Sequence, residues 1–421
     1  VRVQPITVVP HVTVLGGGLA GMTAARSLSR CGIDVVLVEK SEVLGGAARG
    51  LDMLLGGEPV ADFLDALVDD ITKSPRVSLN TATTVTGISG TAGDFTVSLS
   101  IHGDNEQVLT GALIFATGAT EYVPQEYLFG EHDGVMTQRD CERKLAQGQS
   151  GIKDISSVVM IQCVGSMTSE RPFCSRYCCR QALKNALHLK QLNPAVEVTI
   201  FYRELMSYGF AEKFYTAARE KGVLFVRYEP DARPRVSTSG TQLIVSASDP
   251  ASGGMLEIEP DFVVLSTGLE PEDNKSLADL AGIECDADGF LQEADPKFRP
   301  VELVKDGMYV CGTAHSPRTV GETISQALAA AGRAGALVTR SRLVPGNTVS
   351  LVNATWCSGC ELCIAACPYA ARSKDAEQGI AVVNHALCQA CGACVSVCPN
   401  KASSMQGWSD RQVLAMLDAA L

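Results

Sequence analysis

The sequence predicts an α/β protein, one doubly wound domain with a second inserted into it, followed by a small cysteine-rich module. Three observations carry that expectation. A β-branched run, residues 12 to 15, enters the loop Gly16-Gly17-Gly18-Leu19-Ala20-Gly21, which leads into helical spacing and a second strand, "VVLVEK". Two later apolar strands, "GALIFATGA" (111 to 119) and "DFVVLSTGLEP" (261 to 271), both end in Thr-Gly. Eight of the sixteen cysteines lie between Cys357 and Cys398, in two runs of the same spacing.

At 421 residues the chain has room for two or three domains with sizeable cores. Its 46% hydrophobic and 19% charged content is that of a globular protein. With 35 Lys and Arg against 47 Asp and Glu, the formal net charge is −12, which offers no basic field to nucleic acid or anionic lipid. No run of about eighteen apolar residues is available to span a bilayer, and the stretch "VRVQPITVVPHVTVLGGG" lacks the features of a secretion signal. Clustered cysteines in such a chain point to metal or redox sites in a reducing cytoplasm rather than to disulfides. Any contact with the inner face of a membrane is expected to come through a partner. The chain begins at Val1 without a methionine, which leaves open whether a further N-terminal portion belongs to the protein.

Each part of the first motif has a mechanical reason. Gly16 permits the tight turn, Gly18 lets the backbone approach a pyrophosphate, and Gly21 lets the helix lie close to the strand. The helix N-terminus then faces phosphate, and Glu39, followed by Lys40, stands where an acid receives ribose hydroxyls. Two further features select FAD over NAD. Gly45 and Gly46 in "SEVLGGAARG" resemble the loop after the ribose acid in flavoproteins of the two-dinucleotide-domain, thioredoxin reductase-like type. Thr117-Gly118 and Gly268 close the two strands that match the paired returns to the FAD domain in that family. In "GMYVCGTAHSPRTVGETISQALAAAGRAGA", a strand to Cys311 leads to Gly312-Thr313 and a helix starting near Gly321, with Glu322 and Thr323 in its first turn. In that family this helix points its N-terminus at the pyrimidine end of the flavin, where its dipole stabilises a reduced, anionic ring. Many relatives carry an acid where this chain has Thr313. Cys311 reads as a buried small hydrophobe, and His315 equally as a loop residue or a flavin contact.

Residues 151 to 260 stand where two-domain flavoprotein reductases insert a domain that binds a pyridine nucleotide. Here the strand "SSVVMIQ" leads into "CVGS" rather than a Gly-x-Gly-x-x-Gly loop, and the next strand, "VEVTIFYR", ends at Arg203 instead of an acid. Between them, "CSRYCCRQALKNALHLKQL" is an amphipathic helix with Ser175 as its expected cap. Cys163, Cys174, Cys178 and Cys179 would converge on its first turn. Four thiolates there can hold a [4Fe–4S] cluster, whose negative charge the helix dipole favours. The spacing matches none of the common ferredoxin motifs, so buried apolar cysteines and a structural zinc site stay open as alternatives.

The segments "QCVGS", "CSRYCC", "ALKNA", "FYRELMSYG" and "FYTAAREKGVLFVR" resemble the central domain of the heterodisulfide reductase A-type subunit and its relatives in the quinone-interacting membrane-bound oxidoreductase complex. The resemblance implies that the four cysteines hold a [4Fe–4S] cluster beside the FAD, and that Lys184 approaches flavin N5 as the catalytic cation. A cation there stabilises a flavin anion; without the family, Lys184 reads as an exposed helix lysine. Longer members carry further cysteine segments. This chain runs from "LGG" into "AARGLDMLLGGEPVADFLDALVDDI", with no cysteine.

"CSGCELCIAACP" and "CQACGACVSVCP" both read Cys-x-x-Cys-x-x-Cys-x-x-x-Cys-Pro, an internally repeated bacterial two-cluster ferredoxin. The fourth cysteine of each run ligates the other cluster, giving Cys357, Cys360, Cys363 and Cys398 for the first and Cys388, Cys391, Cys394 and Cys367 for the second. The expected organisation is 1–150 and 261–345 as two parts of an FAD domain, with 151–260 as an inserted Rossmann-like domain carrying its own cluster. Residues 346–405 form the ferredoxin domain, and 406–421 a helix capped at Ser409 that acts as a lid or a docking surface. Such a chain is expected to be an oxidoreductase component with FAD and three [4Fe–4S] clusters, the insert's cluster connecting the flavin to the ferredoxin module. The implied partners are redox proteins resembling the B-type and C-type subunits of heterodisulfide reductase, with electron bifurcation at the flavin as one mode. The alternative is a relay to a membrane quinone-interacting partner, and a homodimer within the complex is compatible with either. A self-contained NAD(P)H oxidoreductase needs a nucleotide loop that the sequence does not offer.

Overall fold

The computed structural model describes residues 5–147, 155–249, 253–343, 348–385 and 387–420. Its first unit forms around β1 (His11–Leu15), an almost wholly buried strand. Helix α1 (Leu19–Arg30), β2 (Asp34–Val38), α2 (Ala61–Thr72) and β3 (Val77–Asn80) build outward on one side, and β4 (Ala112–Phe115) pairs with the other edge of β1. These pairings are parallel. A three-stranded antiparallel meander, Thr83–Thr91, Asp94–Ile101 and Asp104–Thr110, joins β3 to β4. The period-two alternation of the strands divides the core. Ala112 and Ile114 pack on the helical side, while Leu113 and Phe115 meet Phe95, Val97 and Leu99 of the meander.

The second unit contains β5 (Val135–Thr137), α3 (Gln138–Ala146), β6 (Ser157–Val164), α4 (Cys178–Leu192), β7 (Glu197–Tyr202), α5 (Glu212–Glu220), β8 (Leu224–Arg227) and β9 (Phe262–Thr267). Its strands form a parallel sheet in the order β5-β9-β6-β7-β8. The sequence pattern assigns the strand at 261 to 271 to the FAD unit, yet β9 lies in this second sheet. Val263 and Leu265 pack on one face with Leu243 and Val245, and Val264 on the other with Ala182 and Leu183. A strand apolar on both faces needs a sheet covered on both sides. The chain crosses back only through Leu269–Pro271, which pairs antiparallel with the outgoing Ala119–Glu121. The inserted unit therefore begins with β5, ahead of residue 151.

After the crossing, β10 (Glu293–Asp295), β11 (Arg299–Leu303) and β12 (Met308–Val310) complete the first sheet, in the order β10-β11-β12-β4-β1-β2-β3. Helix α6 (Val320–Val338) then lies beside α1. Its buried face is Ala327, Ala330, Ala331 and Ala334, against Ala24, Ala25 and Leu28 of α1. Such small side chains let two helices approach closely over one sheet.

The C-terminal module has two antiparallel strand pairs. β13 (Ser350–Val352) pairs with β16 (Ser403–Met405), and β14 (Arg372–Lys374) with β15 (Ala381–Val383). A cleft between this module and the first unit is lined by His385, Cys388 and Gln389 on one side and by Gly307, Arg333 and Arg340 on the other. The module thus stands near the C-terminal end of α6. Helix α7 (Asp410–Ala420) follows Ser409, whose hydroxyl and N–H both reach Gln412 Oε1, but Leu414, Met416 and Leu417 are exposed rather than packed as a lid. Among the described residues no helix is long and apolar enough to cross a membrane.

Ala330→Leu, which forces extra methylenes between α1 and α6, is expected to destabilise the chain by about 1–3 kcal/mol. Chemical denaturation of the flavin-free protein measures it.

Candidate cofactor sites

The doubly wound order of the first sheet reverses between β1 and β4, the place where such sheets bind ligands beyond their carboxyl ends. Gly16, at φ 112°, turns the chain there and donates its N–H to Val38 O at 2.7 Å. A side chain on Gly16 would run into the Ala116 carbonyl, and one on Gly21 into the carbonyl of Gly16. Gly18 differs, because a Cβ there meets no protein atom within 4 Å. It is the N-cap of α1 and provides no side-chain cap, so the first-turn N–H groups face open space. These features suit a pyrophosphate.

Around that hollow the structure gathers most of the expected residues. Gly45 donates to Gly17 O at 2.9 Å and forms a bridge with Gly18. Glu39 accepts from the N–H groups of Gly17 and Ser41 at 2.6 and 2.7 Å, so the acid braces the glycine loop as well as facing it. Gly46 lies against Gly18, and Gly118 faces Thr313 Oγ1. Thr117 Oγ1 donates to Asn274 Oδ1 at 2.8 Å, and the Gly312 N–H to Gln326 Oε1 at 2.9 Å. Gly312 also packs on Ala20 and on the Thr323 methyl. Two residues stand otherwise. Lys40 is exposed and paired with Glu272 at 2.7 Å. Gly268 packs on Ser166 and Ser175 of the cysteine loop, where a Cβ would collide with Ser166 Oγ.

Glu322 closes the capping box of α6 with Thr319. Burial would raise its carboxyl, but hydrogen bonds from Thr319 and Tyr208 and the charge of Arg176 hold it below the usual carboxylate range. Beside it, His315 Nδ1 receives Arg318 and Gln326 at 2.6 and 2.7 Å, which leaves Nε2–H to donate to Glu293 at 2.8 Å. The ring is buried and neutral. Burial, with Arg318 adding to it, lowers its proton affinity against the pull of Glu293.

In the second unit the cysteine loop occupies the same topological place beyond β6. Cys163, next to last in that strand, stands at φ 61°, and Cys163, Cys178 and Cys179 are buried. The four sulfurs feel one another. Burial, then the neighbouring thiols of Cys179 and Cys174, push Cys163 up to about 12. The Cys178 thiol donates to Cys179, which raises the first and lowers the second. Ser175 does not cap α4, contrary to expectation. Its hydroxyl accepts from Leu269 N–H and bonds Ser166, both at 2.8 Å, and the N-cap is Tyr177 without a side-chain cap.

Two arginines that sequence reasoning leaves without a role serve this loop. Arg203, in place of a ribose acid, donates to Met167 O at 2.6 Å and lowers Cys163 against its burial. Arg176, inside "CSRYCC", donates its backbone N–H to Cys174 Sγ at 3.3 Å and its guanidinium to Glu322 at 2.5 Å. The signal available was the position of Arg176 between the cysteines and of Arg203 at the strand end where a ribose acid would stand. The space that a nucleotide loop would open after β6 is filled. Tyr122 lies on Gly165, and Arg171 stacks on Tyr122 while donating to Gly165 O at 2.7 Å.

Lys184 is buried, not the exposed lysine that its residue type suggests. It forms an ion pair with Glu142, at 6% and 4% side-chain exposure, and reaches Met53 O at 3.3 Å. Glu142 also accepts from the N–H groups of Asp52 and Met53. The pair thus clamps α3 and α4 to the segment that follows Gly46–Gly50.

In the C-terminal module the two interleaved quartets are brought together as the repeat implies. Cys357, Cys360, Cys363 and Cys398 line one hollow. Cys367, Cys388, Cys391 and Cys394 line another. Backbone N–H groups point at the sulfurs, Ala381 to Cys357 at 3.4 Å, Ala371 to Cys367 at 3.3 Å and Ser350 to Cys388 at 3.4 Å. Among the described residues no three His, Cys, Asp or Glu groups are gathered tightly enough for a single metal ion. The sulfurs stand around volumes, as ligands of a cluster do.

Together these features define a flavin-type dinucleotide fold with a cysteine-rich insert and an appended dicluster module. Residues 10–161 match the family model for pyridine nucleotide-disulphide oxidoreductases, and 350–399 the model for a 4Fe-4S dicluster domain. Thioredoxin reductases of T. acidophilum and Lactococcus lactis share the fold, each at TM-score 0.53, with 18% and 19% identity over 78% and 79% of this chain and 99% of theirs.

The chain belongs to the family of heterodisulfide reductase A-type subunits. It is 30% identical to the iron-sulfur A-type subunit of the CoB–CoM heterodisulfide reductase of Methanocaldococcus jannaschii, over 97% of this chain and 77% of that protein. Against the A-type subunit of the ferredoxin:CoB-CoM heterodisulfide reductase of Methanosarcina acetivorans the identity is 28%, over 87% of this chain. Against that of the H2:CoB-CoM heterodisulfide, ferredoxin reductase of Methanothermobacter thermautotrophicus it is 37%, over 75%. The chain spans 61% and 50% of the length of those last two relatives.

Gly18→Ala should leave the unfolding midpoint of the flavin-free protein unchanged and weaken FAD binding by about tenfold or more, since about 1.4 kcal/mol suffices; Gly21→Ala should lower both. Titration calorimetry with FAD and thermal melts separate the two cases. In the unfolded chain His315 takes up a proton near 6.5, whereas the folded ring stays neutral to lower pH, so its contribution to stability is lost as pH falls below about 6.5. Melting temperatures between pH 5 and 7 should therefore fall more steeply in the parent protein than in His315→Gln.

Proposed function

We propose that this chain is the FAD and iron–sulfur electron-transfer component of a heterodisulfide reductase-like complex, holding three [4Fe–4S] clusters. The observation that carries the reading is the replacement in the second unit. In a sheet of the nucleotide-binding type, β6 ends in Cys163-Val164 where a glycine loop would begin, and Tyr122 and Arg171 fill the space beyond it. Bound FAD would supply the conversion between electron pairs and single electrons. The residues placed to hold it are Gly16, Gly18, Gly21, Glu39, Gly45, Gly46, Thr117, Gly118, Gly312 and Thr313, with the start of α6 turned toward the same hollow. Lys184 is the proposed cation toward the flavin, with Glu142 holding its charge in a buried place.

The layout bears on the route. Arg176 of the cysteine loop meets Glu322 in the first turn of α6, whereas the ferredoxin module lines a cleft with Arg333 and Arg340 at the other end. A helix of 19 residues is about 28 Å long. That separation favours two exits over a serial path through the insert, with the cluster loop and the ferredoxin module serving different partners or a second copy of the chain. The name of one relative pairs a heterodisulfide with ferredoxin, and two exits from one flavin suit electron bifurcation. A relay toward a membrane quinone-interacting partner uses one exit. The partners in either case are other redox proteins of the complex, met on the cytoplasmic side.

The test is iron, sulfide and FAD analysis of the full chain purified anaerobically, beside Cys178→Ala/Cys179→Ala. About twelve irons per chain falling to about eight, with FAD retained and no rapid reduction of the flavin by NADH or NADPH, is the expected result. About eight irons in both proteins would remove the third cluster. Rapid reduction by either nucleotide would revive a self-contained reductase.

A further inference from the structure

We infer that Arg372 is a buried counter-charge shared by the two cysteine quartets of the C-terminal module, and that it makes the two clusters unequal in potential. The inference rests on the reading of that module as a two-cluster site. Arg372 opens β14 at 4% exposure. One guanidinium nitrogen lies 3.7 Å from Cys363 Sγ of the first quartet, and the other 3.2 Å from Cys394 Sγ of the second. The second nitrogen also donates to Ser350 Oγ, and Cys394 Sγ lies 3.2 Å from that same hydroxyl.

Among the described residues no carboxylate pairs with Arg372, and its Nε has no hydrogen-bond partner. Lys374, two residues on, has its own partner in Glu361. A guanidinium stays protonated under any ordinary condition, and a buried unpaired charge is costly. The compensating charge available is sulfur. Each quartet around a cluster carries net negative charge, and net charge is among the terms that set cluster potential.

The internal repeat isolates the feature. Arg372 stands five residues after Cys367, and the position five after Cys398 is Ser403. Both residues open equivalent strands, β14 and β16, and both are buried. Ser403, near the sulfur of Cys398, carries no charge. A charged residue at one position of the repeat and a hydroxyl at the other breaks the twofold likeness of the module. The shorter contact is to Cys394, so the cluster held by Cys367, Cys388, Cys391 and Cys394 is the one raised more in potential. Electrons arriving singly would settle there first, which gives the module a direction.

The experiment is a redox titration followed by electron paramagnetic resonance on the full chain, comparing the parent protein with Arg372→Gln and Arg372→Lys. The signal of the insert cluster is identified by its loss in Cys178→Ala/Cys179→Ala. Expected in Arg372→Gln are lower potentials for both module clusters, with a reduction equilibrium at least about tenfold less favourable for the Cys394 cluster, which is about 59 mV for one electron. Arg372→Lys should keep most of the parent value. Iron lost from Arg372→Gln but kept by Arg372→Lys also supports the inference, since charge is then what assembly needs. Unchanged potentials in fully loaded Arg372→Gln overturn it, as does equal iron loss in both variants, which assigns the residue to packing. Absence of module signals from the parent protein would overturn the two-cluster reading itself.

Discussion

Around the hollow of the first unit, three glycines lie so close to their neighbours that a side chain on any of them would collide. Gly16 lies on Ala116, Gly21 on Gly16, and Gly312 on the methyl group of Ala20. These approaches hold the exits of β1, β4 and β12 and the start of α1 around one hollow. They also bring α6 down on α1, so that an alanine face suffices to pack it. A bulkier residue at any of them would separate the strand ends and leave the helix N-terminus without a ligand to face. The hollow and the core of this unit are thus one construction, and Gly18, where a Cβ would meet no protein atom, opens toward that hollow.

The remaining sites answer a charge problem. The chain is acidic, with a formal net charge of −12, and on the reading proposed above each cluster with its four thiolates would add more negative charge. Such charge would have to be compensated locally. Arg203 and Arg176 flank the insert's cysteine loop, and Arg372 sits between the quartets of the module. Free N–H groups at the starts of α1 and α4 act in the same sense without any net charge. The buried Lys184–Glu142 pair obeys the same rule from the other side, since neither charge could remain there alone.

Much of the plan is legible in the sequence because it rests on local spacing. The glycine loop, the strand and acid after it, and the paired Cys-x-x-Cys-x-x-Cys-x-x-x-Cys-Pro runs are each contained within some thirty residues or fewer. The less regular cysteines of the insert can be read only with the help of a resemblance, because Cys163 lies on a strand, Cys174 in the irregular loop after it, and Cys178 and Cys179 on the following helix. Expectation and structure part where two partners compete for one residue. Ser175 could have capped α4, but Leu269 N–H and Ser166 offer it buried partners. The strand at 262 ends in Thr-Gly like its counterpart at 112, yet its two apolar faces place it in the second sheet.

The amino-acid order by itself determined the fold class, the presence of a dinucleotide-type and a dicluster module, and which cysteines of the two repeated runs are grouped together. Turns, helix starts and metal spacings are set by residues close in the chain. The tertiary structure alone decided which arginine stands beside which cysteines, that Lys184 is buried against Glu142, and that the module stands at the opposite end of α6 from the cysteine loop. Arg176 and Glu322 are 146 positions apart and Lys40 and Glu272 are 232 apart. Contacts of that kind follow from how sheets and helices stack, and no local pattern encodes them.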